Sequence, residues 1–242
     1  GIWVISPKRL FTNNWQDELW LVAGGIFGGS LYFFTENTAL GITQASNVSF
    51  IICTAPLLTT ILPLLFYKSE KASKGLIYGS LLALMGVGLI VFNGSFVLKI
   101  SPIGDLLTLL AALSWAFYSL IIKKMARRYP TVFITRKIFF YGVLTILPAF
   151  LLHPLQPDTA VLLQPAVLFN LLFLAVLASL ICYVLWNVVL KQLGTVRASN
   201  YIYLNPLVTM IASFLILDEK ITLVALGGAA CIVCGVYWAE KK

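Results

Sequence analysis

The apolar residues of this chain are gathered into eight stretches, at 19 to 41, 44 to 67, 74 to 94, 103 to 125, 131 to 152, 165 to 191, 197 to 217 and 221 to 239. A helix rising about 1.5 Å per residue needs about 20 residues to cross about 30 Å of hydrocarbon, so each stretch is long enough to span a bilayer. Strands do not fit, because a membrane barrel alternates apolar and polar residues, whereas Gly79 to Val91 is apolar on every side. With 60% hydrophobic and 11% charged residues and a mean hydropathy of +0.94, too little polar surface remains for a soluble domain. The expected fold class is an all-α polytopic membrane protein, a helical bundle.

Charge orients that bundle. If successive loops alternate sides, all the Lys and Arg residues fall on one side except Lys99 and Lys220. The positive-inside rule then places both termini in the cytoplasm. The net charge of +8 needs no nucleic-acid partner, since basic loops beside anionic headgroups account for it.

A sequence signature occurs twice. Pro56, Leu57 and Thr59, then Glu70 and Lys71, then Gly79, Gly86 and Val87 return as Pro206, Leu207 and Thr209, Glu219 and Lys220, Gly228, Gly235 and Val236. The helix of Pro56 runs outside to inside and ends at Lys68 and Lys71, whereas that of Pro206 runs inside to outside and ends at Asp218 and Glu219. The copies are therefore expected to be inverted, two repeats of five helices each, at 1–102 and 103–242. Eight full helices of an expected ten are visible, and the first repeat reads as lacking its first helix and most of its second. Residues Gly1 to Ile5, followed by Lys8 and Arg9, read as the cytoplasmic end of a helix that began earlier.

The run Ala45 to Ser49 before Pro56, Gly104-Asp105 before Ser114 to Tyr118, and Arg197 to Asn200 before Tyr203, Asn205 and Pro206 resemble the EamA branch of the drug/metabolite transporter superfamily. The resemblance spans essentially the whole chain and implies a ten-helix carrier that moves small metabolites, often outward, through a central cavity. A bacterial cytoplasmic (inner) membrane is the expected location.

Polar residues inside the spans nominate a site. Inverted-repeat carriers bind cargo near mid-bilayer. Thr54, Trp115, Tyr118, Tyr203 and Asn205 all fall near the middle of their stretches. Glu36 is the acidic residue well inside a span, a costly placement that suits cargo binding, proton coupling or a structural hydrogen bond. Pro56 and Pro206, at matching places, should kink their helices and free the carbonyls of Ile52 and Ile202, as a pair of hinges or as packing devices. Gly79, Gly86, Gly228 and Gly235, seven apart in each copy, should admit close helix packing. Glu70 and Glu219 read as structural caps. Asn47, Ser49 and Asn200 lie toward helix ends, where capping is expected. Tyr183 and Asn187 could line an inner vestibule, and Arg136 and Lys137 should snorkel to the cytoplasmic interface.

Nothing suggests a metal, a cofactor or catalysis. Cys53, Cys182, Cys231 and Cys234 lie in apolar spans, His153 stands alone, and no P-loop or HExxH motif occurs. The leading expectation is a gradient-driven secondary transporter of small metabolites; the family resemblance and a mid-depth site that reads as neutral and aromatic favour amino acids or related compounds, and the absence of mid-depth Lys or Arg disfavours anionic cargo. A lipid-carrier-modifying membrane enzyme and a non-transporting scaffold are the alternatives.

Overall fold

The structure is a computed structural model that describes residues 11–12, 14–66, 73–92, 101–152, 159–217 and 221–240. Glu70 and Glu219, with their neighbouring lysines, lie outside the described residues. Helices alone form the regular structure among the described residues. In chain order these are α1 (Trp15–Gly25), a π-helical turn (Ile26–Ser30), α2 (Leu31–Ile42), α3 (Ala45–Ile52), α4 (Ala55–Phe66), α5 (Lys74–Phe92), α6 (Pro102–Met125) and α7 (Thr131–Leu152). There follow α8 (Thr159–Leu162), α9 (Pro165–Leu172), a second π segment (Phe173–Ile181), α10 (Cys182–Leu193), α11 (Thr195–Asn200), a 3-10 turn (Tyr201–Leu204), α12 (Asn205–Leu217) and α13 (Leu223–Glu240).

Six helical runs among the described residues are long and apolar enough to cross a membrane, at 74–92, 102–125, 131–149, 165–193, 195–216 and 223–240. The other two expected spans are helical too, but interrupted. The run from Trp15 to Ile42 passes through the π turn, and α3 stops at Ile52 before α4 begins. Large apolar side chains stand exposed along these helices, among them Leu215, Ile216, Leu223 and Tyr237, as lipid-facing surface requires.

Packing gathers the helices into two compact units, one of residues up to Ser30 with 121–194 and one of 31–120 with 195 onward. In the first, α1 lies against α7. A Cβ on Gly25 would come within 2.6 Å of Tyr141 Cβ and 2.8 Å of Gly142 N, so the backbones meet without side chains between them. Ser30 Oγ and Thr145 Oγ1 are 2.8 Å apart across the same seam. The π turn displaces its carbonyls from the regular ladder, and Tyr183 OH donates to Gly28 O at 2.6 Å. Asn187 Nδ2 donates to Thr135 Oγ1 at 2.8 Å. Both residues expected to line a vestibule are thus spent on helix-to-helix bonds.

The first unit also buries its charges, unlike the expected snorkelling. Lys137 and Arg136 are nearly inaccessible. Lys137 Nζ is ion-paired with Glu18, which also accepts from Tyr141 OH and from Thr12 N and Oγ1 at 3.0 and 2.7 Å. Asp17 accepts from Arg128 at 2.7 Å and from Tyr129 OH at 2.9 Å. An acid on α1 draws the lysine inward, which a reading of the α7 sequence in isolation misses.

In the second unit α5 and α13 form the tightest seam. A Cβ on Gly79 would sit 2.5 Å from Gly235 O and one on Gly235 2.5 Å from Gly79 O; Gly86 and Gly228 bear the same relation at 2.5 and 2.7 Å. As α5 advances from 79 to 86 its contact on α13 retreats from 235 to 228, so the helices are antiparallel. Each glycine meets the counterpart of its own repeat-mate, which is two-fold symmetry within the seam. Cys53, Ala83, Val87, Tyr203, Ile232 and Val236 form the apolar core beside it.

Candidate substrate and ion-binding sites

Two separate groups emerge from the residues nominated by sequence. The first joins α2 to α6. Tyr32 OH donates to Glu36 Oε1 at 3.1 Å, and the Tyr32 ring lies 5.2 Å from the Trp115 ring, tilted by 49°. Trp115 in turn lies 5.2 Å from Tyr118, tilted by 44°. Tyr118 is fully buried, whereas Trp115 and Glu36 are half-buried. The Thr43 hydroxyl and the Ser101 amide, at 3.4 and 3.2 Å, engage the Asp105 carboxylate and fix the start of α6 against the end of α2. No cation pairs with Glu36 among the described residues. A carboxylate flanked by aromatic faces, half-open and without a fixed counter-ion, can take an ammonium group or a proton. Tyr32 was missing from the sequence reading, although its i, i+4 spacing to Glu36 was the available signal.

The second group surrounds Tyr203, fully buried against Cys53, Val87 and Ile232. Thr54 belongs to neither group's polar contacts; its hydroxyl returns to Ile51 O at 2.7 Å. Asn205 is exposed.

Pro56 and Pro206 are buried in the first turns of α4 and α12, each second in its helix. This differs from the expected kink within a continuous helix. Proline there starts a helix where no amide hydrogen is needed. The Ile202 carbonyl, expected to be freed, accepts from Asn205 N–H instead. The interruption itself recurs in both copies: α3 closes at Cys53 and Thr54 before α4, and α11 passes through the 3-10 turn before α12.

The second interruption holds residues that sequence reading set aside. Asn200 and Ser199 are fully buried and Thr195 nearly so, and among the described residues no hydrogen-bond partner meets Asn200 Oδ1, Asn200 Nδ2, Ser199 Oγ or Thr195 Oγ1. Their place near a helix end suggested solvent access; packing of α11 against α4 removes it.

Comparison with known proteins places this architecture. The model of the EamA-like transporter family matches residues 1–92 and 102–239. The chain belongs to the EamA-like transporter family. An uncharacterized transporter of Archaeoglobus fulgidus is 28% identical over 242 residues, covering 99% of this chain and 82% of that one. A Salmonella typhimurium protein named "Probable amino-acid metabolite efflux pump" is 29% identical over 71% of this chain and 60% of its own length. Its Escherichia coli namesake is 24% identical over 82% and 69%. A solved crystal structure that is 20% identical shares the fold with a TM-score of 0.73, covering 94% of this chain and 77% of that one. As an EamA-like transporter the protein is an integral membrane protein that handles a small-molecule substrate in a lipid bilayer.

Proposed function

We propose that this EamA-like protein is a gradient-driven secondary transporter that exports amino acids or related compounds by alternating access between two inverted repeats, at 1–102 and 103–242. The repeats work about Pro56 and Pro206, where helices restart and rotation is least resisted by the hydrogen-bond ladder. In this reading the protein sits in the bacterial inner membrane with both termini cytoplasmic, and it is not an enzyme. Support for the inversion comes from the antiparallel, reciprocal glycine contacts of α5 with α13.

The observation that carries the reading is the group on α2 and α6. Glu36, Tyr32 and Trp115 offer one half-buried carboxylate beside half-buried aromatic rings, with the buried Tyr118 packed behind Trp115. The ammonium of an amino acid suits the carboxylate, and its side chain suits the rings. Protonation of Glu36 would compete with cargo, which is the elementary form of proton exchange. Thr54, Tyr203 and Asn205 complete the proposed lining as the interrupted helices move.

Uptake into proteoliposomes of the full-length protein, over an amino-acid and amine panel with and without a pH gradient, tests this. Glu36→Gln should abolish transport driven by the pH gradient, and Trp115→Ala should weaken cargo affinity. Unchanged transport in both variants would remove this group from the site. Indifference to the gradient would remove proton coupling alone.

A further inference from the structure

We infer that the interruption between α11 and α12 holds a monovalent-cation site, with sodium the fitting ion, built on Thr195, Ser199 and Asn200. The binding claim stands on the polar cluster itself; its use in coupling rests on the transporter reading above.

Asn200 and Ser199 are 0% exposed and Thr195 1%, and none of their side-chain polar atoms has a partner among the described residues. Buried polar groups in folded proteins are almost always hydrogen-bonded. Three neighbouring residues on a six-residue helix that all break this rule call for a ligand. Thr195 and Ser199 are four apart and share a helix face, and Asn200 follows about 100° further round the same short helix. The helix packs on α4, which carries two further buried hydroxyls, Thr59 and Thr60, whose hydrogens are committed to Ala55 O and Pro56 O at 2.8 and 2.9 Å. Those hydroxyl oxygens keep lone pairs and offer no proton.

The set selects the ion. Every oxygen is neutral, and the adjacent charged side chain, Arg197, is exposed. Divalent cations are held by carboxylates, which the cluster lacks. A proton needs a titratable group, and none of the three titrates near neutral pH. Hydroxyl and amide oxygens beside a discontinuous helix suit a hard monovalent cation. A water in the ion's shell keeps a lone pair to accept from Asn200 Nδ2, so both ends of the amide are satisfied.

Thermal unfolding of the detergent-solubilised full-length protein tests the inference without requiring transport. NaCl is titrated against choline chloride at constant ionic strength. The wild type should show a Tm that climbs saturably with sodium and not with choline. Asn200→Leu and Ser199→Ala remove polar atoms that lack partners, so both should fold, and both should lose the sodium response. Absence of a sodium-specific shift in the wild type, or its survival in Asn200→Leu, overturns the site. In proteoliposomes, cargo flux that responds to a sodium gradient in the wild type and not in Ser199→Ala supports coupling. Flux that ignores sodium despite an intact Tm response overturns coupling and leaves both the ion site and the transporter reading. Loss of all flux under every gradient overturns the transporter reading instead.

Discussion

Two clusters of buried polar groups, one in each compact unit, are handled in opposite ways. Between α1 and α7, Glu18 has Lys137, Tyr141 and Thr12, and Asp17 has Arg128 and Tyr129, so each buried acid is matched. On α11, Thr195, Ser199 and Asn200 are as deeply buried and are matched by nothing among the described residues. A satisfied network fixes two helices in one arrangement, while an unsatisfied one stabilises whatever completes it. The first pattern reads as scaffold and the second as a place where something binds.

Breaking the matched region should produce the largest effect. Lys137→Met strands Glu18 in a buried position where its hydrogen bonds cannot replace the lost charge. A cost of about 3–5 kcal/mol is expected for removing one partner of such a pair. Unfolding in detergent should show a much lower midpoint, and the double variant Glu18→Gln, Lys137→Met should recover most of it. Equal losses in single and double variants would mean that the pair does not act as a pair.

The glycine seam of the second unit comes next. Gly86→Ala places a methyl 2.5 Å from Gly228 O and 2.8 Å from Ile232 N, and backbone on both sides leaves it nowhere to turn. The helices must separate, at about 1–3 kcal/mol or more for an overpacked core. The same unfolding measurement on Gly86→Ala and Gly228→Ala should give similar losses, because the seam is reciprocal.

These cases also explain what could be read from the chain alone. The helices and the close approach of Gly79, Gly86, Gly228 and Gly235 follow from local composition and periodicity, which the sequence displays. Lys137 could not be placed that way, since its partner Glu18 lies 119 positions earlier and only packing joins them. Asn200 failed for the converse reason. Its position near a helix end says water, yet whether water arrives depends on α4, which is distant in the sequence. Pro56 and Pro206 are expected from sequence to kink continuous helices and instead begin new ones, because whether a proline bends a helix or begins one depends on the residues before it, which here leave the α-helical ladder.

A smaller loss tests the matched region without charge. Tyr183→Phe removes the donor to Gly28 O and leaves that carbonyl in the π turn without its 2.6 Å bond. About 1–2 kcal/mol of destabilisation is expected for orphaning a buried acceptor. Hydrogen exchange of residues 26–30 should accelerate in the variant, since the displaced turn loses its clamp; exchange unchanged there would show that the π turn holds itself.

The smallest effect carries the comparison most directly, because one chemical change can be made in both regions. Thr135→Val and Thr195→Val each exchange a buried hydroxyl for a methyl of nearly the same size. Thr135 Oγ1 accepts from Asn187 Nδ2 at 2.8 Å, so its loss strands a donor and should cost about 1–3 kcal/mol. Thr195 Oγ1 accepts from nothing and donates to nothing, so in sodium-free buffer its removal should be neutral or stabilising by about 1 kcal/mol or less. Unfolding midpoints measured side by side in choline chloride decide it. Opposite signs mean that the α11 cluster is carried at the expense of the fold, as a binding site is. Equal losses mean that Thr195 has a protein partner after all, and the contrast between the two regions disappears.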